Sequence, residues 1–252
     1  MASTDHKNVY LASKPRYEIL DGLRGIAAML VVAYHLFETY YGGKPDQQIN
    51  HGYLAVDFFF VLSGFVIGYA YDDRWNNMST WAFFKRRLIR LHPMVIFGTL
   101  FGALMFYFGS CSTFPLINEI VIVLAMPWMG LGTEGAERWT NGLYEAFCII
   151  VCFPLIVAMG AGSSVMGKSK AINQFLGEIS YPLYITHYPL IYMQMSWLDS
   201  HKDAPLSTHI FVAVCIFTLA ILVAYGSYKL YDLPVREWLK KKWFTSSENT
   251  VQ

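Results

Sequence analysis

The chain has 252 residues, of which 55% are hydrophobic, 17% aromatic and only 15% charged, with a formal net charge of +1. A water-soluble domain carries about 25% charged residues, and apolar runs here recur from residue 22 to residue 230, so the composition excludes an ordinary soluble protein. The charge balance gives no sign of a nucleic-acid partner, and Cys111, Cys148, Cys152 and Cys215 show no metal-ligand spacing.

In chain order, residues 1–16 form a polar tail with Lys7, Lys14 and Arg16. It lacks the apolar core of a cleaved signal peptide, so the first span is expected to direct insertion as well. About 20 residues cross the hydrocarbon core, and six segments are long enough: 21–41, 54–71, 92–109, 142–161, 179–198 and 208–230. The predicted fold is therefore an all-α, polytopic transmembrane helix bundle of six spans, forming one domain over 1–252 with a polar C-terminal tail at 240–252. A seventh apolar stretch, 115–131, holds Glu119, Pro115 and Pro127, and 110–141 is expected to be external or re-entrant.

The first span, "DGLRGIAAMLVVAYHLFETYY", carries Asp21, Arg24, His35 and Glu38, although a charge at the bilayer centre costs about 2.5–3.5 kcal/mol on insertion scales. Steps of three and four place all four on one helical stripe, with His35 roughly 16 Å along the axis from Arg24. Asp21 and Arg24 read equally as interfacial groups or as the mouth of a polar track. Solvation at the interface accounts for Glu38, whereas His35 lies too deep to reach water and points to a pathway or to catalysis. The second span holds Asp57, Ser63, Gly64 and Gly68; the glycine pair has the spacing of a close helix–helix contact. Next, "MSTWAFFKRRLIRLHP" offers Ser79 or Thr80 as an N-cap and predicts an interfacial helix that leads into the third span near Pro93. Phe83, Phe84, Leu88 and Leu91 would lie against lipid. Its basic residues, including Arg87 and Arg90, place this loop in the cytoplasm, and both termini with it.

Cys148 and Cys152 share a face of the fourth span and read as packing. "GAGSSVMGKS", 160–169, is the most linker-like stretch. In the fifth span Ser180, Tyr184, His187 and Gln194 share a face interrupted by Pro182 and Pro189, and His187 is either a core histidine bonded to a carbonyl or part of a polar cavity. The final helix ends in "REWLKKKW".

Together "RYEILDGLRGIAAMLVVAYHLF", "GYLAVDFFFVLSGFVIGYAY", "FFKRRLIRLHP", "ISYPLYITHYPLIY" and "YDLPVREW" resemble acyltransferase family 3, the bacterial integral-membrane enzymes that O-acylate surface polysaccharides. The resemblance implies transfer of an acyl group, acetyl above all, from cytoplasmic acyl-CoA to a hydroxyl of a saccharide or glycolipid, in the inner membrane among lipid and without a metal. It implies that His35 is the general base, with Asp57 and Glu38 as the carboxylates of the site. Arg87 and Arg90, with Arg24, would grip the acyl-CoA, and Ser63, Tyr184 and His187 would line the substrate cavity. The chain departs from the family in length: about ten helices are usual, and the central Trp-Ser-Leu…Glu motif is absent, leaving Glu145 or Glu38 to stand in for its carboxylate. An internally deleted inactive homologue and a proton-coupled or lipid-handling membrane protein therefore stay open as alternatives.

Overall fold

Apolar runs that cross a bilayer fold as helices because a helix satisfies its own N–H and C=O groups where no water can. The computed structural model describes residues 17–42, 49, 51–72, 78–108 and 136–244, and every regular element among them is helical. These are α1 (Glu18–Tyr41), α2 (Leu54–Tyr71), α3 (Thr80–Phe108), α4 (Ala136–Phe147), α5 (Phe153–Ala161), α6 (Lys168–Ser200), α7 (Leu206–Ser227) and α8 (Leu233–Phe244). Wide π-helical turns, Cys148–Cys152 and Tyr228–Asp232, join α4 to α5 and α7 to α8. Each precedes a proline. Pro154 and Pro234 lack the N–H that would bond the carbonyl four residues back, at Ile150 and Leu230, and the widened turn absorbs the mismatch.

Five stretches, in α1, α2, α3, α4–α5 and α7–α8, are long and apolar enough to cross a membrane. The sixth crossing helix is α6, 33 residues long. It is less apolar because one of its faces is polar and covered by protein, with Ser180, Thr186, His187 and Gln194 all buried, while Ile172, Tyr188 and Met193 stay exposed. The result is a multi-pass helical bundle. α1 and α6 run parallel at its centre. Ala28, Val32 and Leu36 of α1 pack with Leu183, Leu190 and Ile191 of α6 and with Ile216, Ala220 and Ala224 of α7. Leu20 and Ala27 pack on the other side against Phe58 and Leu62 of α2 and Val157 of α5.

Glycine makes the α1–α6 contact close. A Cβ at Gly25 would stand 2.4 Å from the Leu176 carbonyl oxygen, and one at Gly177 would stand 2.6 Å from the Asp21 Cβ. α1 ends at Gly42, whose φ of 63° is the left-handed cap that glycine adopts freely. The linker-like stretch is indeed a break, between Ala161 and Lys168.

Three expectations change. The interfacial segment and the third span are one helix, α3, opened by Ser79, whose Oγ accepts the Ala82 N–H at 3.2 Å. Pro93 lies inside it, fully buried, and a missing helical hydrogen bond is tolerated where protein covers the freed carbonyl. Phe84, Leu88 and Leu91 are exposed as expected, but Phe83 turns inward onto Tyr71, centroids 4.8 Å apart. Among the described residues Gly64 and Gly68 make no close helix contact: none of them lies within 4 Å of a Cβ built at either. Cys148 is buried and Cys152 half-buried at the two ends of one π turn, and Cys111 is outside the described residues.

Gly25→Leu should therefore force α1 from the α6 backbone and cost about 1–3 kcal/mol, read as a lower melting temperature in detergent. Gly64→Ala and Gly68→Ala, in open space, should leave it unchanged.

Candidate functional site

Polar side chains gather at two levels along α1. The first lies where the starts of α1 and α6, the end of α2, the first turns of α3 and the α7–α8 junction converge. Its cavity, about 970 Å3, is lined by six cationic residues, Arg24, Arg86, Arg87, Arg90, Arg236 and Lys240. The acids on its wall are fewer: Asp21, Glu178 and Asp232. The volume stands at the upper end of the ~300–1,000 Å3 usual for small-molecule sites, and the excess of cations suits an anion.

Each wall residue is positioned by its helix. Arg24 reaches across the glycine contact: Nε donates to Ser180 Oγ at 3.0 Å and a terminal nitrogen to Asp21 Oδ1 at 2.8 Å. It thus ties α1 to α6 and lines the cavity at once. Arg87 lies beside the rings of Tyr71 and Phe83, 5.5 and 5.6 Å away, which hold the guanidinium flat at the end of α2. Asp232, in the second π turn, accepts from Arg236 at 2.5 Å. α8 is fastened over α3 by Lys85, whose Nζ donates to the Trp243 carbonyl at 3.2 Å and sits 5.2 Å from the Trp243 ring.

The second level is three turns further along α1. His35 Nδ1 lies 2.9 Å from Glu38 Oε2, and Tyr34 donates to Glu38 Oε1 at 3.2 Å. A carboxylate only accepts, so with Glu38 ionised the imidazole donates from Nδ1, and in the neutral ring Nε2 then carries the lone pair. The His35 ring stacks on His187, centroids 5.5 Å apart at 24°, and meets Tyr188 edge-on at 4.9 Å. His187 is the carbonyl-bonded core histidine: Nδ1 donates to Tyr184 and Leu183 oxygens at 2.9 and 3.1 Å. Its buried Nε2 has no hydrogen-bond partner. Higher still, Thr39 donates to Gln194 Oε1 at 2.9 Å.

Of the residues singled out from sequence, Arg24, Arg87, Arg90 and Ser63 share the basic cavity. His35 and Glu38 pair with each other. Tyr184 and His187 do not line the cavity; Tyr184 is exposed and touches Phe59, a cavity residue, at 5.7 Å, so a column of rings, Phe59, Tyr184 and His187, stands between the two levels. Asp57 lies within electrostatic reach of Glu145, and Tyr53, one turn before it, donates its hydroxyl to Glu145. Burial first, then that carboxylate, pushes the Tyr53 phenol above its ordinary value. Sequence reading missed Arg236, Lys240, Asp232 and Glu178 as cavity residues. The signal was present in "YDLPVREW": an acid and an arginine four apart, split by a proline. No group of three or more His, Cys, Asp or Glu among the described residues is placed to hold a metal ion.

The family described as "Acyltransferase domain" matches residues 17–132 and 112–228. Over 83 residues, 32% of this chain and 41% of the relative, the chain is 42% identical to "Protein 2 in picA locus" of Rhizobium radiobacter. Over 101 residues, 38% of this chain and 15% of the relative, it is 37% identical to "O-acetyltransferase OatA" of Staphylococcus aureus. The chain thus covers less than half the length of either relative. No solved structure matches it.

Proposed function

We propose that this chain, which belongs to the acyltransferase domain family, is a membrane O-acyltransferase that moves an acyl group, acetyl in the first instance, from acyl-CoA to a saccharide hydroxyl. One observation carries the reading: a single helix, α1, bears both a wall of the cationic cavity, at Arg24, and a carboxylate-backed histidine, at His35. The donor's phosphates bind at the cavity, where Arg87 and Arg90, one turn apart, offer planar N–H forks that match phosphate oxygens. Its pantetheine arm runs along the Phe59–Tyr184–His187 column and carries the thioester the roughly 16 Å to His35.

At that level Glu38 fixes the His35 tautomer, leaving Nε2 to take the proton of the acceptor hydroxyl. The oxygen attacks the thioester carbonyl, the C–S bond breaks, and the departing thiolate takes the proton from His35. An ester and CoA result, and the histidine is restored. Glu38 does the work assigned elsewhere in the family to a central carboxylate that this chain lacks, which answers why two ionisable groups sit so far along an apolar helix. The acceptor is a saccharide or glycolipid that arrives at the end of the bundle remote from the basic cavity. The Staphylococcus aureus relative is called an O-acetyltransferase, which supports a hydroxyl as acceptor, and its side of approach follows from where His35 lies. The basic end is cytoplasmic, in the inner membrane, because positively charged ends stay inside; Asp57 and Glu145 flank the outer approach.

Three measurements test this. Purified protein given acetyl-CoA and an oligosaccharide should release CoA; His35→Ala should lose about 10²–10⁴-fold of the rate. Glu38→Gln, which releases the ring to the other tautomer, should lose rate as well, by up to about 10⁴-fold. Full activity in His35→Ala, or none in the wild type with any donor, overturns the reading, the latter in favour of an inactive homologue. Changing Arg87 and Arg90 together to lysine keeps the charge but removes the forks, so donor affinity should fall at least about tenfold; unchanged affinity sinks the phosphate clamp. In a chain cleared of its own cysteines, Ser3→Cys and Ser247→Cys should resist an impermeant thiol reagent in intact cells, and labelling of either would reverse the orientation.

A further inference from the structure

Among the described residues, three buried side-chain atoms in residues lining the basic cavity have no hydrogen-bond partner: Arg87 Nε, Arg236 Nε and Asp232 Oδ1. A buried polar atom left unsatisfied is destabilising, and all three belong to one cavity. Asp232 is the most telling. It is 2% exposed, and only half of its carboxylate is used: Oδ2 holds Arg236 at 2.5 Å, while Oδ1 has nothing. Arg236 is set by that bond and by the Tyr228 ring, 5.7 Å away, so its guanidinium is anchored at one edge with Nε left over. Arg90 lies within electrostatic reach of the same carboxylate. The π turn Tyr228–Asp232 delivers the acid, and such widened turns occur frequently at functional sites.

The unmet atoms have a definite chemistry. The two Nε–H groups need an acceptor, best an anion. Asp232 Oδ1 needs a donor. A lipid phosphodiester meets the first need and not the second; inorganic phosphate and a pantetheine amide carry a donor, but neither sets an anion beside a separate hydroxyl. A phosphorylated ribose meets both, because it carries phosphate oxygens beside a free hydroxyl.

We propose that Asp232 and Arg236 form a ribose-phosphate subsite for the nucleotide end of the acyl donor. Arg87 and Arg236 donate to phosphate oxygens on opposite sides of the cavity, and Asp232 Oδ1 accepts from the ribose hydroxyl. The subsite rests on the acyl-CoA reading above, and it gives α8 a task in recognition besides closing the bundle.

Adenosine 3′,5′-bisphosphate, its 2′-deoxy analogue, inorganic phosphate and CoA are the probes, titrated onto the full chain in detergent. The wild type should bind the bisphosphate and prefer it over the deoxy analogue by about tenfold or more, the worth of one hydrogen bond to a charged group. Arg236→Gln and Arg236→Lys should each weaken the bisphosphate about tenfold or more, and Asp232→Asn should reduce the preference for the 2′-hydroxyl. Equal binding of the deoxy analogue by the wild type overturns the ribose contact. If inorganic phosphate or added phosphatidylglycerol displaces the bisphosphate at equal concentration, the site is a plain anion or lipid site and the proposal fails. Melting temperatures measured beside each titration separate folding from recognition: variants that melt earlier but keep wild-type affinity and ribose preference show that the pair only fastens α8. If CoA binds and needs Arg87 and Arg90 while the Arg236 and Asp232 variants bind as wild type, the subsite alone is wrong. If the wild type binds neither CoA nor the bisphosphate, the donor reading falls with it.

Discussion

Gly22 and Gly25 of α1 and Gly177 of α6 let two parallel helices lie closer than larger side chains would allow, and the polar architecture follows from that contact. With the helix axes so near, Arg24 reaches Ser180 across the seam, His35 stacks on His187 and Thr39 reaches Gln194. The three pairings are spaced along the same seam like rungs. Separating the helices would leave each polar group facing hydrocarbon, where an unsatisfied group costs several kcal/mol. The packing of small residues and the survival of charge within an apolar bundle are thus one constraint.

That constraint also divides labour along α1. Near its start Asp21 and Arg24 bond to each other and to α6 and frame a cavity whose remaining wall comes from α2, α3 and the α7–α8 junction. Three turns later the cluster is small, two imidazoles, one carboxylate and two phenols, and is built almost wholly from α1 and α6. The first level is suited to holding a large anion, the second to handling a proton. Phe59 belongs to the wall of the one and touches the ring column leading to the other, so the two levels are coupled through packed aromatic rings.

Much of this could be read in the sequence, and the failures share a cause. Helical arithmetic correctly put Asp21, Arg24, His35 and Glu38 on one stripe, and hydropathy found six crossings, α6 included. Arithmetic of that kind tells which residues share a face but not whether the face meets protein or lipid. Gly64 and Gly68 have the spacing of a helix contact and meet none; Gly22 and Gly25, one residue closer together in sequence, make the contact that counts. Tyr184 shares the stripe of His187, yet one is exposed and the other buried. Glu38 was read as a solvated interface residue, and its side chain does keep 38% exposure; its i,i+3 spacing from His35 adds the contact that depth alone did not suggest. The return of α8 over the first turns of α3 depends on contacts between residues more than a hundred and fifty positions apart, such as Lys85 with Trp243, and no local pattern encodes those.

The π turn at Tyr228–Asp232 behaves as a one-residue insertion in an otherwise regular helix. Loss of a single residue there would restore ordinary winding and turn everything beyond it by about 100° around the axis. α8 would keep its composition, its length and its hydropathy, yet Arg236 and Lys240 would swing off the cavity wall. Relatives of this chain that differ by one residue in that turn would therefore look the same by composition while facing a different ligand. The length of the turn, more than the identity of the basic residues after it, sets what the end of the bundle can hold.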